Sequence, residues 1–223
     1  GQGYLPEAIV NYIALLGWSP GDDREFFTLE ELTKVFSIKG INKSPSVFDM
    51  NKLTWMNGEY LRALSPEAFH DAALPWIRKA VTREDIDTVY LAGLLHQRTE
   101  VLSHITEAVD FVDTLPAYDA DLYLHKKQKC RFDNSLENLK AAREALTALP
   151  EWAQEAIHES LFALIASREI KTGQMMWPVR TALSGKAFSP GGGVDLAVLL
   201  GREDALDRID KGISILEKAI ESE

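Results

Sequence analysis

The residues best equipped for chemistry lie between positions 171 and 193. Lys171, Arg180 and Lys186 stand among Met175, Met176, Trp177 and Phe188, and the stretch ends in Ser189-Pro190-Gly191-Gly192-Gly193. Lysine and arginine neutralise phosphates, and aromatic rings and guanidinium planes stack on unpaired bases. An arginine fork can also address a base edge with two parallel hydrogen bonds. A turn that leads into a helix adds free backbone amides for a phosphate or a base carbonyl. This combination suits single-stranded RNA. The same residues also fit a plain helix, with Met175, Met176 and Trp177 in its core and Ser-Pro-Gly as a common turn.

Two other places carry cations. Residues 123–131 hold Lys126, Lys127, Lys129 and Arg131 with no acid, a local charge of +4. Residues 168–186 carry +3, which leaves −17 for the rest of the chain. The Debye length at physiological salt is about 8 Å, so distant acids do not cancel a local basic surface. Both windows also read as ordinary solvated faces. Arg98, in Leu95-His96-Gln97-Arg98-Thr99, falls where a helical pattern breaks, and helix ends aim side chains outward. Paired with Glu100 or Glu84 it would be an ordinary surface arginine.

No catalytic or metal-binding constellation accompanies these cations. Gly1-Gln2-Gly3 follows no strand and has no third glycine, so it is not a dinucleotide fingerprint. There is no P-loop, no His-Glu-x-x-His and no nucleophile elbow. Cys130 sits among cations that would lower its pKa, but no base is arranged beside it. His96 and His104 are eight residues apart with no further ligands at hand. The pairs Glu30-Glu31 and Glu84-Asp85 are expected in first helical turns, where they favour the helix dipole. A binding module is expected rather than an enzyme.

The elements that must position these groups are helices. The chain has 223 residues, a net charge of −10, 46% apolar and 26% charged residues, and a single cysteine. That is a soluble, reducing-compartment composition, with no secretory leader and no apolar run of about 18 residues to span a bilayer. A cytoplasmic, monomeric protein without a membrane partner is expected. Helices are predicted from Pro6-Glu7 to Leu16, from the capping box Thr28-Leu29-Glu30-Glu31 to Phe36, and from Asp49 with a break at Asn57-Gly58. Further helices should start at Ser65-Pro66, with Pro75 kinking or ending the run, and at Thr82, with a break near His96–Thr99 before Val112. The remainder are predicted from Asp133 to Leu149, from Trp152 to Ile170, from Gly173 to Leu183 with a bend at Pro178, over Val194–Leu200, and along a last stripe of Leu206, Ile209, Ile213, Leu216 and Ile220. No sustained alternation suggests a sheet. The fold class is all-α, with divisions near 64 and 150.

Longer motifs point further. Gly3-Tyr4-Leu5-Pro6-Glu7-Ala8, Asn11-Tyr12 and Leu15-Leu16-Gly17-Trp18-Ser19 are followed by Ser44-Pro45-Ser46-Val47-Phe48-Asp49 and Lys52-Leu53-Thr54-Trp55-Met56-Asn57-Gly58-Glu59-Tyr60. Then come Trp177-Pro178-Val179-Arg180-Thr181-Ala182-Leu183-Ser184-Gly185, Ser189-Pro190-Gly191-Gly192 and Leu199-Leu200-Gly201-Arg202-Glu203. Taken together the chain resembles the C-terminal half of bacterial glutamyl-tRNA synthetase, from end to end. The resemblance implies a helical stem-contact subdomain over 1–64, followed by a two-part α-helical anticodon-binding cage over 65–149 and 150–223. It implies tRNA(Glu) as partner and tRNA-binding roles for Arg98, Trp177, Arg180, Lys186, Ser189, Pro190 and Gly191. Arg98 matches a position that reads the third anticodon base in members that accept only glutamate tRNA. Arg180 and Ser189 match positions at the first two bases; a threonine often stands where Ser189 is, and the hydroxyl is kept. The family's HIGH-type and KMSKS-type signatures are not in this sequence, so the N-terminal catalytic domain is expected outside it. ATP, magnesium and glutamate would serve the whole enzyme, and this chain alone is expected to be inactive. The rival reading, from another class, is an acidic helical protein-interaction module with no RNA role.

Overall fold

Side-chain caps start several helices. In the computed structural model, which describes residues 2–41 and 47–222, Thr28 and Glu31 form the predicted reciprocal box on α2 (Leu29–Val35). Asp49 accepts from the Asn51 and Lys52 amides at the head of α3 (Met50–Ala63), and Ser65 from Ala68 at the head of α4 (Pro66–Ile77). Before them, α1 spans Pro6–Gly17. The motif residues Ser44, Pro45 and Ser46 lie outside the described residues.

The fold is all-α, with eleven α-helices and no sheet among the described residues. After α4 come α5 (Thr88–His96), α6 (Ile105–Ala108), α7 (Phe132–Thr147), α8 (Gln154–Ser167), α9 (Thr172–Ser184), α10 (Gly193–Leu200) and α11 (Arg202–Glu221). Four expectations need correction. The helix α3 runs through Asn57-Gly58 without a break. Asn57 is fully buried, and its amide accepts from the Leu5 N–H and donates to the Glu100 carbonyl, so local propensity yields to tertiary hydrogen bonds. Thr82–Asp85 is not helical; Asp87 caps α5, while the Thr82 amide and hydroxyl bind the Asp113 carboxylate and Asp85 pairs with Arg83. Asp133 lies inside the first turn of α7 and not at its cap, where Asn134 receives the Arg131 amide. On α1 the helical spacing of Ala8, Ile9, Tyr12, Ile13 and Leu16 predicts one apolar stripe facing the core, but Ile9 and Ile13 face outward while Ala8 and Tyr12 are buried.

Residues from Leu61 to Leu216 share one continuous apolar core, to which α4, α5, α7, α9, α10 and α11 contribute. Residues before Leu61 build two smaller clusters, around Tyr12, Leu53 and Met56 and around Trp18, Phe27 and Leu32. The chain start joins the larger unit through the Leu102 amide on the Gly3 carbonyl.

One buried cation ties the larger unit together. Arg208 on α11 is 2% exposed and donates to the carbonyls of Phe111, Leu183 and Val112 at 2.8–2.9 Å. It also grips both oxygens of Asp204, at 2.7 and 3.1 Å. The segment that follows α6 and the end of α9 are therefore held against the same side chain. A buried charge is tolerated only when paired and hydrogen-bonded, and this one is both.

Candidate nucleic-acid interface

Four of the seven predicted binding residues, Arg98, Lys186, Ser189 and Pro190, line one groove, with Trp177, Arg180 and Gly191 outside its lining. Its volume is about 840 Å³. One wall is the break after α5 with α6, contributing Arg98, Thr99, His104 and Glu107; the other is the loop from α9 to α10, contributing Lys186, Phe188, Ser189 and Pro190. The two walls come from parts of the chain about ninety residues apart in sequence, and Arg208 anchors the backbone behind each.

The helix α9 carries Arg180 to the floor of the second wall. Pro178 sits within this helix without ending it, and the helix stops at Gly185. There φ is +62°, and a Cβ would stand 2.8 Å from the Tyr118 ring, so only glycine fits both the turn and the space. The chain then reverses, and Ser189 returns beside Arg180. Arg180 Nη1 donates to Ser189 Oγ at 3.2 Å and to the Lys186 carbonyl at 3.1 Å. The Ser189 hydroxyl donates to the Gly191 carbonyl at 2.8 Å, which fixes its rotamer. Gly191 is buried, and a Cβ there would come within 2.7 Å of Asp195 Cβ.

Arg180 is electrostatically unusual. Its guanidinium lies 4.4 Å from the centre of the Trp177 ring, and among the described residues no carboxylate pairs with it. Its Nη2 is buried without a hydrogen-bond partner. Burial shifts its pKa below the usual arginine value, yet a guanidinium stays charged at any physiological pH. The Nη2 nitrogen is closed off from solvent, so its unmet donor is an internal cost of this arrangement and not an open contact.

The other predicted residues take distinct places. Arg98 is exposed on the opposite wall, forms none of the ion pairs among the described residues, and points Nη1 towards the Ser189 carbonyl at 3.5 Å. The alternative pairing with Glu100 or Glu84 is not formed. Lys186 crosses the groove floor, donating to the Glu107 carbonyl at 2.7 Å and pairing with Asp110 at 2.5 Å. Trp177 is half-buried: its indole N–H is spent on the Leu122 carbonyl, and the His125 ring meets it edge-on at 4.1 Å. It supports Arg180 and is not an open stacking platform. The open ring is Phe188, 89% exposed at the groove lip. Sequence reasoning placed Phe188 in the right cluster without assigning it a role. Arg208 was missed altogether, although Asp204 one turn earlier was its signal.

Cys130 is buried, and burial pushes its thiol up to about 11, so the neighbouring cations do not activate it. Among the described residues no three His, Cys, Asp or Glu side chains are grouped to hold a metal ion, and no helix is long and apolar enough to cross a membrane.

Comparison with known proteins places the groove in context. Residues 1–55 match the catalytic domain of class I tRNA synthetases (E and Q). The chain is 51% identical over 218 residues to a glutamate–tRNA ligase of Clostridium botulinum (strain Eklund 17B / Type B), covering 97% of this chain and 45% of that protein. It is 51% identical over 219 residues to that of Clostridium tetani, covering 98% and 45%. The chain thus spans less than half the length of these relatives. Among solved structures, a glutamate tRNA ligase from Elizabethkingia meningosepticum superposes with a TM-score of 0.81 at 29% identity, over 96% of this chain and 42% of that one. The groove and both its walls fall within residues 68–213, which match the anticodon binding domain model, and the chain belongs to that family.

Proposed function

We propose that this chain is the tRNA-recognition portion of a glutamate–tRNA ligase and that its groove holds the anticodon of tRNA(Glu). The observation that carries this reading is Ser189 on the groove wall, held by Arg180 behind it at 3.2 Å, opposite an Arg98 that has no carboxylate partner among the described residues. Arg180 holds Ser189 in place, Ser189 adds a hydroxyl, and Phe188 gives a face for stacking. Pro190 and Gly191 shape the turn, Lys186 holds the walls in register, and Trp177 backs the guanidinium. Residues 1–64, with their own small clusters, would contact the tRNA stem; residues 65–149 and 150–223 would form the two parts of the anticodon cage. The protein would work as a monomer in the cytoplasm. Attachment of glutamate, with its need for ATP and magnesium, belongs in this proposal to the catalytic domain of a longer enzyme. The relatives of twice this length support that placement.

The test is binding of glutamate and glutamine anticodon stem-loops to the chain and to Arg98→Gln. The exposed Arg98 contributes little to folding, so the variant should melt normally. If it reads the third base with both arms of the fork, the variant should lose about 1–3 kcal/mol of discrimination. Equal losses on both RNAs would remove the reading role. No binding at low salt by a folded chain would favour a protein-interaction module instead.

A further inference from the structure

The second basic window lies against the same helix as the groove residues. His125–Cys130 is a tight reversal: the His125 amide donates to the Cys130 carbonyl at 3.2 Å, the Cys130 amide to the His125 carbonyl at 3.1 Å, and the Lys129 amide to the Lys126 carbonyl at 3.2 Å. Side chains brace it. The Gln128 amide donates to His125 Nδ1, and Asn134 Nδ2 donates to the Lys129 carbonyl. The Gln128 side chain lies directly on Gly173, at the start of α9.

Four cations crown this turn without neutralisation. Lys126, Lys127 and Lys129 are exposed, as is Lys171, two residues ahead of Gly173. None of the four takes part in an ion pair among the described residues, although most other basic side chains do. The nearest following acid, Asp133, is committed to Arg131 through both oxygens. Lys129 also holds φ of +58°, a left-handed conformation in which a side chain is disfavoured and glycine is not. Charge is kept where the backbone would prefer no side chain.

Position gives this patch a ligand. Gly173 under the turn, Trp177 against His125 and Arg180 over Trp177 are spaced four and three residues apart, on one face of α9. Gly173 and Arg180 are seven residues apart, about 10 Å along the helix. A strand with bases at Arg180 and Ser189 brings its phosphates within reach of lysines at that distance.

We propose that the Lys126-Lys127-Gln128-Lys129 turn, with Lys171, is a phosphodiester-binding element for the RNA held in the groove. It supplies sequence-independent affinity, whereas Arg98, Arg180 and Ser189 supply selection; it rests on the groove being the base-binding site. The test uses the full chain, labelled glutamate and glutamine anticodon stem-loops, a glutamate stem-loop with a scrambled loop, and an unstructured oligouridine, across a salt series. Each phosphate contact to a single strand contributes about 0.7 to the slope of log affinity against log salt. The triple variant Lys126→Ala, Lys127→Ala, Lys129→Ala should flatten that slope by about 2, weaken all four RNAs alike, leave their ratios unchanged and melt as the unaltered chain does. The triple Lys→Arg variant should keep the slope. An unchanged slope in the alanine variant, or a loss confined to one loop sequence, overturns the proposal while the groove reading stands. Conversely, no preference of the unaltered chain for the glutamate loop over the scrambled one sinks the groove reading and this proposal with it, and a slope that still falls by about 2 then leaves only a nonspecific RNA contact at the turn. A chain that binds none of the RNAs at low salt overturns both.

Discussion

Arg180→Met separates recognition from folding. The substitution removes two hydrogen bonds, to Ser189 Oγ and the Lys186 carbonyl, worth about 0.5–1.5 kcal/mol each. It also removes the guanidinium from the Trp177 face, about 0.5–1 kcal/mol. Against this, it relieves a buried donor without a partner, which costs roughly 1–3 kcal/mol. A methionine sulfur against the same ring returns about 0.3–1.5 kcal/mol. Losses and gains nearly cancel, leaving a net change within about 1 kcal/mol. For a chain of this size that is about 2–4 °C in Tm. On the RNA side nothing cancels: on the same scale one lost hydrogen bond is worth about 0.5–1.5 kcal/mol, so affinity for the glutamate stem-loop should fall roughly 2- to 13-fold. Differential scanning fluorimetry and fluorescence anisotropy on one preparation read both. A fall in Tm several times larger would mean that Arg180 is a structural pillar. Unchanged affinity at unchanged Tm would mean that it touches no RNA, and the groove reading would fail.

Further outcomes follow from the same coordinates. Phe188→Ala should leave Tm unaltered, because the ring is 89% exposed, and should weaken stem-loop binding by about 1–3 kcal/mol if a base stacks there; anisotropy checks this. Arg208→Ala leaves the Phe111 and Leu183 carbonyls without this donor and Asp204 with Arg83 alone, and should cost about 3 kcal/mol in urea unfolding, since it removes one partner of a partly buried pair. Cys130, its thiol pushed up to about 11 from an ordinary 9.0, should alkylate about 100-fold more slowly than a free thiol at mildly alkaline pH and at the ordinary rate once unfolded. Mass spectrometry of iodoacetamide-treated protein reads the rate, and fast labelling of the folded chain would contradict the burial.

Helix starts were legible because they are local. Thr28, Asp49 and Ser65 bind amides within three residues, so a sequence window contains the whole cause. The helix stop at Gly185 is equally local, a backbone angle only glycine accepts freely, although the predicted helix simply ended at Leu183. The uninterrupted α3 was not, because the groups that satisfy Asn57 are Leu5 and Glu100, each more than forty residues away. Among the binding residues, type was legible and partner was not. A tryptophan beside an arginine fits both a stacking platform and a buttress; only the Leu122 carbonyl and the His125 ring distinguish the two. Lys186 likewise shows as a cation in sequence, while its commitment to Asp110 depends on how α6 lies across from α9.

The two buried arginines show how partner and not residue type assigns the role. Arg208 and Arg180 are cations withdrawn from water in the same half of the chain. Arg208 meets a carboxylate through two nitrogens and three carbonyls through its remaining donors, so every direction in which it could bind a ligand is already filled. Arg180 is left with one serine hydroxyl, one carbonyl, an aromatic face and an idle nitrogen. Folding alone gives no reason to keep the second arrangement, since an apolar side chain of equal length would stand there at little cost. Arg208 fixes the backbone behind the groove, through Phe111 and Val112 on one side and Leu183 on the other, and Arg180 fixes Ser189 at its edge. The net charge of −10 is unevenly placed: Glu100 and Glu107 share the groove with Arg98, whereas the lysines that crown the neighbouring turn lack carboxylate partners among the described residues.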